Sequence, residues 1–462
     1  MKTRIFVRPV FWGLVWGLVN LSPPTSQAVV FSTDQDSVTI PEELRLPEPE
    51  GASEPYWIGS DDLSHEAGHA HEPGQSHEAG YGESPTLDCD GSCGRVGGWF
   101  FNGWLEQGFT WNPDNPRNGF NTPVTFNDRS NEYQLNQIYI SFGKEIPSDY
   151  DQPEFGGRAD FLYGTDYFFT EAAGLETHVD GTPKWNSADG PRGAGAALYG
   201  LSMPQLYAEV FVPILQGVRV KLGHFYSIMG YESPMATQNF FYSKAYVTQY
   251  GQPYTHTGLL TSAQVSNGLV FHAGFTQGWN NWEDINNEFS FLGGVTLRSL
   301  DDRTKVAFAL HSGNEDADGA NSRTVYSFII SRQINDCLLY VFQHDYGRES
   351  NGALNGDARW YGINQYLINQ VSETLAFGMR LEWFRDQNNA RVLGVPTPLS
   401  TGGNYTAFTF GLNWNPSERL TLRPELRWDW SDVNPPGAPF GMFNDFSDRN
   451  QFTFATDLIF RF

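Results

Sequence analysis

The sequence predicts an all-β chain: a transmembrane antiparallel β-barrel of about 16 strands behind a disordered N-terminal tail. Three observations carry this. The chain ends on a strand of strict period two, with Phe452, Phe454, Thr456, Leu458, Phe460 and Phe462 on one face and Thr453, Ala455, Asp457, Ile459 and Arg461 on the other. Its beginning carries an export signal. Between the two, short and long links alternate from one candidate strand to the next. A final strand closed by an aromatic residue, here Phe462, is the form in which outer-membrane barrels meet the bacterial insertion machinery.

Residues 1–28 read as a secretory signal peptide. Lys2, Arg4 and Arg8 precede an apolar run from Val10 to Val19, and Ser26-Gln27-Ala28 offers a small-residue cleavage site. The alternative, an N-terminal membrane anchor, is disfavoured because the run falls short of the ~20 residues that a spanning helix needs. No other segment holds 18 consecutive apolar residues, and the mean hydropathy of −0.42 is too polar for a bundle of membrane helices. In lipid every backbone polar group needs a partner, which leaves a closed barrel as the spanning structure.

Residues 29–96 show no sustained periodicity and are acidic and rich in His, Pro and Gly. They hold 15 acids against Arg45 and Arg95 and so account for about half of the chain's net charge of −24. Such composition predicts a disordered linker. The acidic balance disfavours nucleic acid as a partner. Ser64-His65-Glu66-Ala67-Gly68 recurs as Ser76-His77-Glu78-Ala79-Gly80, which makes His65, His69, His71 and His77 weak candidates for metal capture. A solvated tether is the default reading, and no cofactor is expected. Cys89 and Cys93 are expected to form a small local disulfide, as suits an oxidising compartment. Cys337 is left over and is expected to pack in a strand.

Residues 97–462 form the barrel. Candidate strands lie near 97–110, 132–143, 157–165, 204–212, 217–225, 255–265, 268–277, 289–299, 304–312, 323–332, 337–346, 358–370, 374–384, 405–414, 419–430 and 451–462. Short links fall around 213–216, 266–267, 300–302, 333–336, 371–373 and 415–418; long ones occupy 111–131, 166–203, 226–254, 385–404 and 431–449. Short turns at one rim, long loops at the other and an even strand count are the outer-membrane layout. The 144–156 link breaks the alternation.

The clearest strands show two faces. Leu420, Leu422, Leu426, Trp428 and Trp430 oppose Thr421, Arg423, Glu425, Arg427 and Asp429. Phe377, Met379, Leu381 and Trp383 oppose Arg380 and Glu382. Val218, Val220 and Leu222 oppose Arg219 and Lys221. A soluble sandwich shows the same alternation, but the signal peptide, the terminal Phe and the loop pattern favour a barrel with its apolar face to lipid. The candidate pore-lining residues are therefore Arg219, Lys221, Arg380, Glu382, Arg423, Glu425, Arg427 and Asp429. Over all strands the inward roster holds nine basic and eight acidic residues, which predicts weak charge selectivity. Arg380, Arg423 and Arg427 form either a basic ladder facing acids on an inward loop or wall pairs with Glu382 and Glu425.

From Gly98 the chain resembles the OmpL-like beta-barrel porin type 2 family, common in planctomycete-type bacteria. The resemblance rests on Gly98-Trp99-Phe100-Phe101-Asn102-Gly103-Trp104-Leu105-Glu106-Gln107-Gly108, on Pro123-Val124-Thr125-Phe126-Asn127-Asp128-Arg129, and on Leu135-Asn136-Gln137-Ile138-Tyr139. It continues in Gly223-His224-Phe225-Tyr226, Gly230-Tyr231-Glu232, Asn239-Phe240-Phe241-Tyr242-Ser243 and His256-Thr257-Gly258. It covers the first third of the barrel at motif level and the rest by architecture. It implies a passive channel and carries over no catalytic residues.

The 226–254 link is long and aromatic. The expectation is that it folds into the lumen and narrows it, with Tyr226, Tyr231, Glu232, Phe240, Phe241 and Tyr242 at the constriction; the alternative is an ordinary outer loop or a subunit contact. The expected function is diffusion of small hydrophilic solutes across the outer membrane, with the tail in the periplasm. The expected partners are outer-membrane lipid, the insertion machinery and, by fold analogy, two further copies in a homotrimer. Two alternatives stand beside this: a non-conducting envelope tether or adhesin built on a barrel, and a secreted β-rich carbohydrate-active protein with Glu382 and Glu425 as its nominal carboxylate pair. Gly-x-Ser-x-Gly does not occur.

Overall fold

The structure, a computed structural model, describes residues 98–147, 151–187, 196–353, 356–393, 402–435 and 440–462. The signal peptide, the linker with His65, His69, His71 and His77, and the Cys89–Cys93 pair lie outside the described residues.

Sixteen strands follow one another: β1 Trp99–Trp111, β2 Tyr133–Lys144, β3 Glu154–Gly164, β4 Gly200–Val212, β5 Val218–Tyr226, β6 Thr255–Ser266, β7 Leu269–Thr276 and β8 Ser290–Arg298 make the first half. The second half is β9 Thr304–Asn314, β10 Ser322–Asn335, β11 Leu338–Ala353, β12 Gly356–Ser372, β13 Leu375–Asp386, β14 Gly403–Ser417, β15 Leu420–Ser431 and β16 Asn450–Arg461. Each strand pairs antiparallel with its sequence neighbours, and β1 pairs with β16 to close the barrel. No edge is left for lipid to desolvate.

The period-two pattern sorts as a barrel requires. Phe452, Phe454, Phe460 and Phe462 are exposed on the outer face, whereas Thr453, Ala455 and Asp457 between them are buried. Leu381, Leu426, Trp428, Phe271 and Leu222 are likewise exposed large apolar side chains. Links of two to five residues, such as 267–268, 299–303 and 418–419, sit at the rim that carries Trp99 and Phe462. The long 112–132, 165–199, 227–254 and 432–449 links sit at the other. The 145–153 link lies at the short-link rim despite its length.

Two sequence expectations are corrected. Cys337 does not pack within a strand: it is exposed in the tight link between β10 and β11, where its N–H donates to Asn335 Oδ1 at 3.0 Å. The candidate strands 337–346 and 358–370 are also too short. β11 runs to Ala353 and β12 starts at Gly356, so the hairpin extends well beyond its apolar section. Its far rungs are polar on both faces, which hides the period; ion pairs such as Arg348 with Asp357 at 2.5 Å hold them instead.

The seam is closed by the last residue. Gly103 N donates to Phe462 O at 3.1 Å and Phe462 N to Gly103 O at 2.9 Å. A Cβ on Gly103 would lie 2.8 Å from the Phe462 ring and closer still to the Tyr139 carbonyl. Gly103→Val is therefore expected to cost about 1–3 kcal/mol by overpacking. The folded, heat-modifiable band on a semi-native gel should shrink relative to that of the parent chain; an unchanged band would show that the seam tolerates the side chain.

Candidate functional site

Residues 227–254, between β5 and β6, turn into the barrel. Nearly every residue from Ile228 to Val247 is buried. The chain turns at Gly230, whose φ of +88° suits glycine and whose missing Cβ leaves room for the Gln252 side chain. A short 3₁₀ turn at Ala236–Gln238 and a π turn at Val247–Gly251 are the loop's only regular structure. An irregular segment enclosed this way cannot satisfy its own backbone, so the wall must supply partners.

It does so with charged side chains. Glu425 Oε2 accepts the N–H of Tyr242 at 3.0 Å, and its Oε1 that of Ser243 at 3.2 Å. Glu382 Oε2 accepts Tyr246 N–H at 2.8 Å. Arg380 Nη1 donates to Ser243 O at 2.7 Å, Arg427 Nη1 to Lys244 O at 2.9 Å, and Arg423 Nη1 to Ala236 O at 3.0 Å and Asn239 O at 2.7 Å. Further round, Trp360 Nε1 donates to Gly251 O at 2.9 Å and Gln137 Nε2 to Pro234 O at 2.8 Å.

The arginines are also matched in charge. Arg380 meets Glu232 of the loop at 2.7 Å and Glu382 of the wall at 3.3 Å. Arg427 meets Asp429 at 2.8 Å and Glu382 at 3.2 Å; Arg423 meets Asp457 at 2.5 Å and Glu106 at 3.0 Å. The ladder and the wall pairs are thus parts of one network, although Glu425 spends its oxygens on loop N–H groups. Arg380, Glu382, Arg423, Glu425, Arg427 and Asp429 all sit on the inward register, yet each is at most 3% exposed. The loop covers them, so they do not form a bare lining. Arg219 is buried too, at 2.6 Å from Glu209, whereas Lys221 keeps about a third of its side chain in contact with solvent.

Glu232 is the loop's acidic hinge point. Its Oε2 accepts Ala245 N–H at 2.7 Å and the Thr248 hydroxyl at 3.0 Å. Burial works to raise its carboxyl, but Arg380 and Lys244 outweigh that and hold it below the ordinary carboxylate value. Burial also pushes the Lys244 ammonium down to about 8, against the opposing pull of Glu232 and Glu106.

The aromatic residues seat on glycines of the wall. A Cβ on Gly108 would strike the Tyr242 ring, on Gly378 the Phe240 ring, and on Gly411 would lie 3.1 Å from Phe241. Tyr231 tilts against Tyr366, with ring centroids 4.7 Å apart, and Tyr226 donates or accepts across 3.3 Å to Tyr139. These glycine sockets were legible only as glycines on the inward register of otherwise regular strands. Sequence reasoning also missed an apolar cluster inside the bore, in which Phe225, Leu292, Val325, Trp360 and Phe384 pack around Ile228, Met229 and Val247. Phe384 shares its face with Arg380 and Glu382, which was the available signal. Among the described residues no group of three His, Cys, Asp or Glu is placed to hold a metal ion.

The model of the family described as "Putative beta-barrel porin-2, OmpL-like" matches residues 99–462. The chain belongs to this family of OmpL-like porins. It is an outer-membrane porin built as a closed 16-stranded barrel. No curated protein matches it. Among solved structures the porin is similar to the anion-selective porin from Comamonas acidovorans, at 9% identity and a TM-score of 0.49 over 79% of this chain and 99% of the other. It is also similar to Salmonella typhi OmpF in complex with daunomycin, at 11% identity and 0.49 over 79% and 97%. The trimer form of Vibrio cholerae OmpT matches at 9% and 0.48 over 79% and 99%.

Two substitutions separate charge from packing in this porin. Arg380→Ala leaves Glu232 and Glu382 buried without their shared cation and should cost about 3–5 kcal/mol of stability, read from the denaturant midpoint in detergent. Gly378→Val should displace Phe240 at about 1–3 kcal/mol while keeping every charge. Equal midpoints for both variants and the parent chain would mean that the loop is not held by this wall.

Proposed function

We propose that this porin is a passive, weakly charge-selective channel for small hydrophilic solutes and that residues 227–254 narrow its bore. The reading rests on one observation above others: an inward loop whose backbone is hydrogen-bonded to charged side chains on the facing strands. Such a loop resists displacement by solute flow and sets the cross-section that a solute meets. A barrel of 16–18 strands without an inward loop leaves a wide aqueous channel. In this reading Tyr226, Tyr231, Glu232, Phe240, Phe241 and Tyr242 shape the constriction. Arg380, Glu382, Arg423, Glu425, Arg427 and Asp429 act through the loop rather than by direct contact with solute, Arg219 is held in the wall by Glu209, and Lys221 touches the water path. The mature chain inserts through the barrel machinery into outer-membrane lipid with its tail in the periplasm, and assembles as a homotrimer.

The apolar cluster around Trp360 and Phe384 favours one other reading, a barrel that is plugged and serves as an envelope tether. Conductance separates the two. The purified porin in a planar bilayer should give discrete steps, and deletion of Met235–Ser243 should raise single-channel conductance. Steps of unchanged size after deletion would remove the loop from the water path; an inserted barrel without current would favour the tether. Liposome swelling with sized sugars then gives the exclusion limit.

A further inference from the structure

The inward charges divide by sector. From β10 round to β1 most are sealed under the loop or paired with one another; Arg461, at the end of β16, is half-buried and donates to the Thr421 hydroxyl at 2.8 Å. From β3 to β9 the inward register carries Arg158, Arg219, Lys221, Arg298 and Lys305 against Glu154, Asp160 and Glu209. Asp160 and Glu209 are buried. Asp160 is fully enclosed, takes Arg158 Nε at 2.8 Å and accepts the hydroxyls of Tyr139 at 2.5 Å and Ser141 at 2.6 Å. Glu209 is 7% exposed and lies 2.6 Å from Arg219 and 3.8 Å from Lys221. Arg219 is as buried as Glu209, but the other basic members keep their water: the Arg158 and Lys221 side chains are 28% and 29% exposed, Lys305 is half-buried and Arg298 is exposed. Around Asp160 and Glu209 the solvent-facing charge is therefore that of Arg158 and Lys221.

A second observation points the same way. Under Tyr231, on the side of the short links, lies a cavity of about 160 Å³. Arg298, Arg303 and Lys305 line it with Ser331, Gln333 and Asp302, and Arg303 is also paired to Asp336 at 2.8 Å. The partly exposed acids Glu154 and Glu349 sit near the barrel rims and are each ion-paired, to Lys144 at 2.5 Å and to Arg323 at 2.9 Å.

We propose that the β3–β9 wall is the anion-selecting face of this porin, with Arg158, Lys221, Arg298 and Lys305 as its basic track and the cavity beneath Tyr231 as its docking point. The inference rests on the channel reading and adds a sign and a solute class to it. Charges of one sign in a bore with low-dielectric walls concentrate counter-ions. Guanidinium groups match the paired oxygens of carboxylates and phosphates, and lysines add point charges. The solutes selected are small carboxylate and phosphate anions. The chain's acidic total does not oppose this, because field in a narrow bore is set by nearby charge and more distant charge is screened within about 8–10 Å.

The reversal potential of the full-length mature porin in a planar bilayer under a potassium chloride gradient tests the assignment. One unit charge a few ångströms from the path in wet surroundings biases permeation roughly fivefold, so chloride should pass about two to five times more readily than potassium. Lys221→Gln with Lys305→Gln should bring that ratio toward one, with heat-modifiable mobility checking that the variant folds. Inorganic phosphate should reduce the chloride current of the parent, and should do so less in Arg298→Gln with Arg303→Gln. A conducting parent porin that passes potassium as readily as chloride, or more so, overturns the charge assignment and leaves the channel standing. An inserted parent barrel that carries no current overturns both.

Discussion

The structure depends on one constraint: a stretch of irregular backbone enclosed in a barrel needs hydrogen-bond partners, and charged side chains of the wall provide them. Glu425, Glu382, Arg380, Arg423 and Arg427 each bond to main-chain atoms of the loop. Burying so many ions is costly unless they are mutually paired and hydrogen-bonded. Here they are, through Glu106, Glu232, Asp429 and Asp457. Removing Arg380, Arg423 or Arg427 leaves both an ion and a peptide group unsatisfied, so the network acts as a unit.

The barrel itself was legible in the sequence because its physics is local. A strand's two faces alternate residue by residue, and lipid on one side with polar surroundings on the other writes that alternation into β13, β15 and β16. The hairpin of β11 and β12 was underestimated because its outer rungs stand in water on both sides, where no period is enforced. Cys337 misled for a related reason. A small apolar residue next to Leu338 and Leu339 reads as strand, whereas Asn335 at the preceding turn caps the link by accepting the N–H groups of Cys337 and Leu338.

The site was legible in its parts and not in its assembly. The loop's length, its aromatic content and the inward register of the arginines could all be read. Whether Arg380 would face water or a peptide carbonyl could not, because the answer lies some 140 residues away at Ser243. The apolar cluster was invisible for the same reason: Phe384 and Trp360 stand on a face that alternation assigns to water, and only the incoming Val247 and the Gly251 carbonyl account for them. Counting inward charges gave near balance, and burial then divided that count unevenly between the two arcs.

Phe240, Phe241 and Tyr242 meet glycines at 378, 411 and 108, on three different strands. The shape of the loop is therefore stored as an imprint distributed around the cylinder and not in its own residues. Transplanting the segment into another porin would transfer the peg without its holes. Divergence within such a family is expected to proceed by coordinated exchange, the aromatic and its facing glycine moving together. Pore geometry would then evolve in discrete jumps and not by gradual drift.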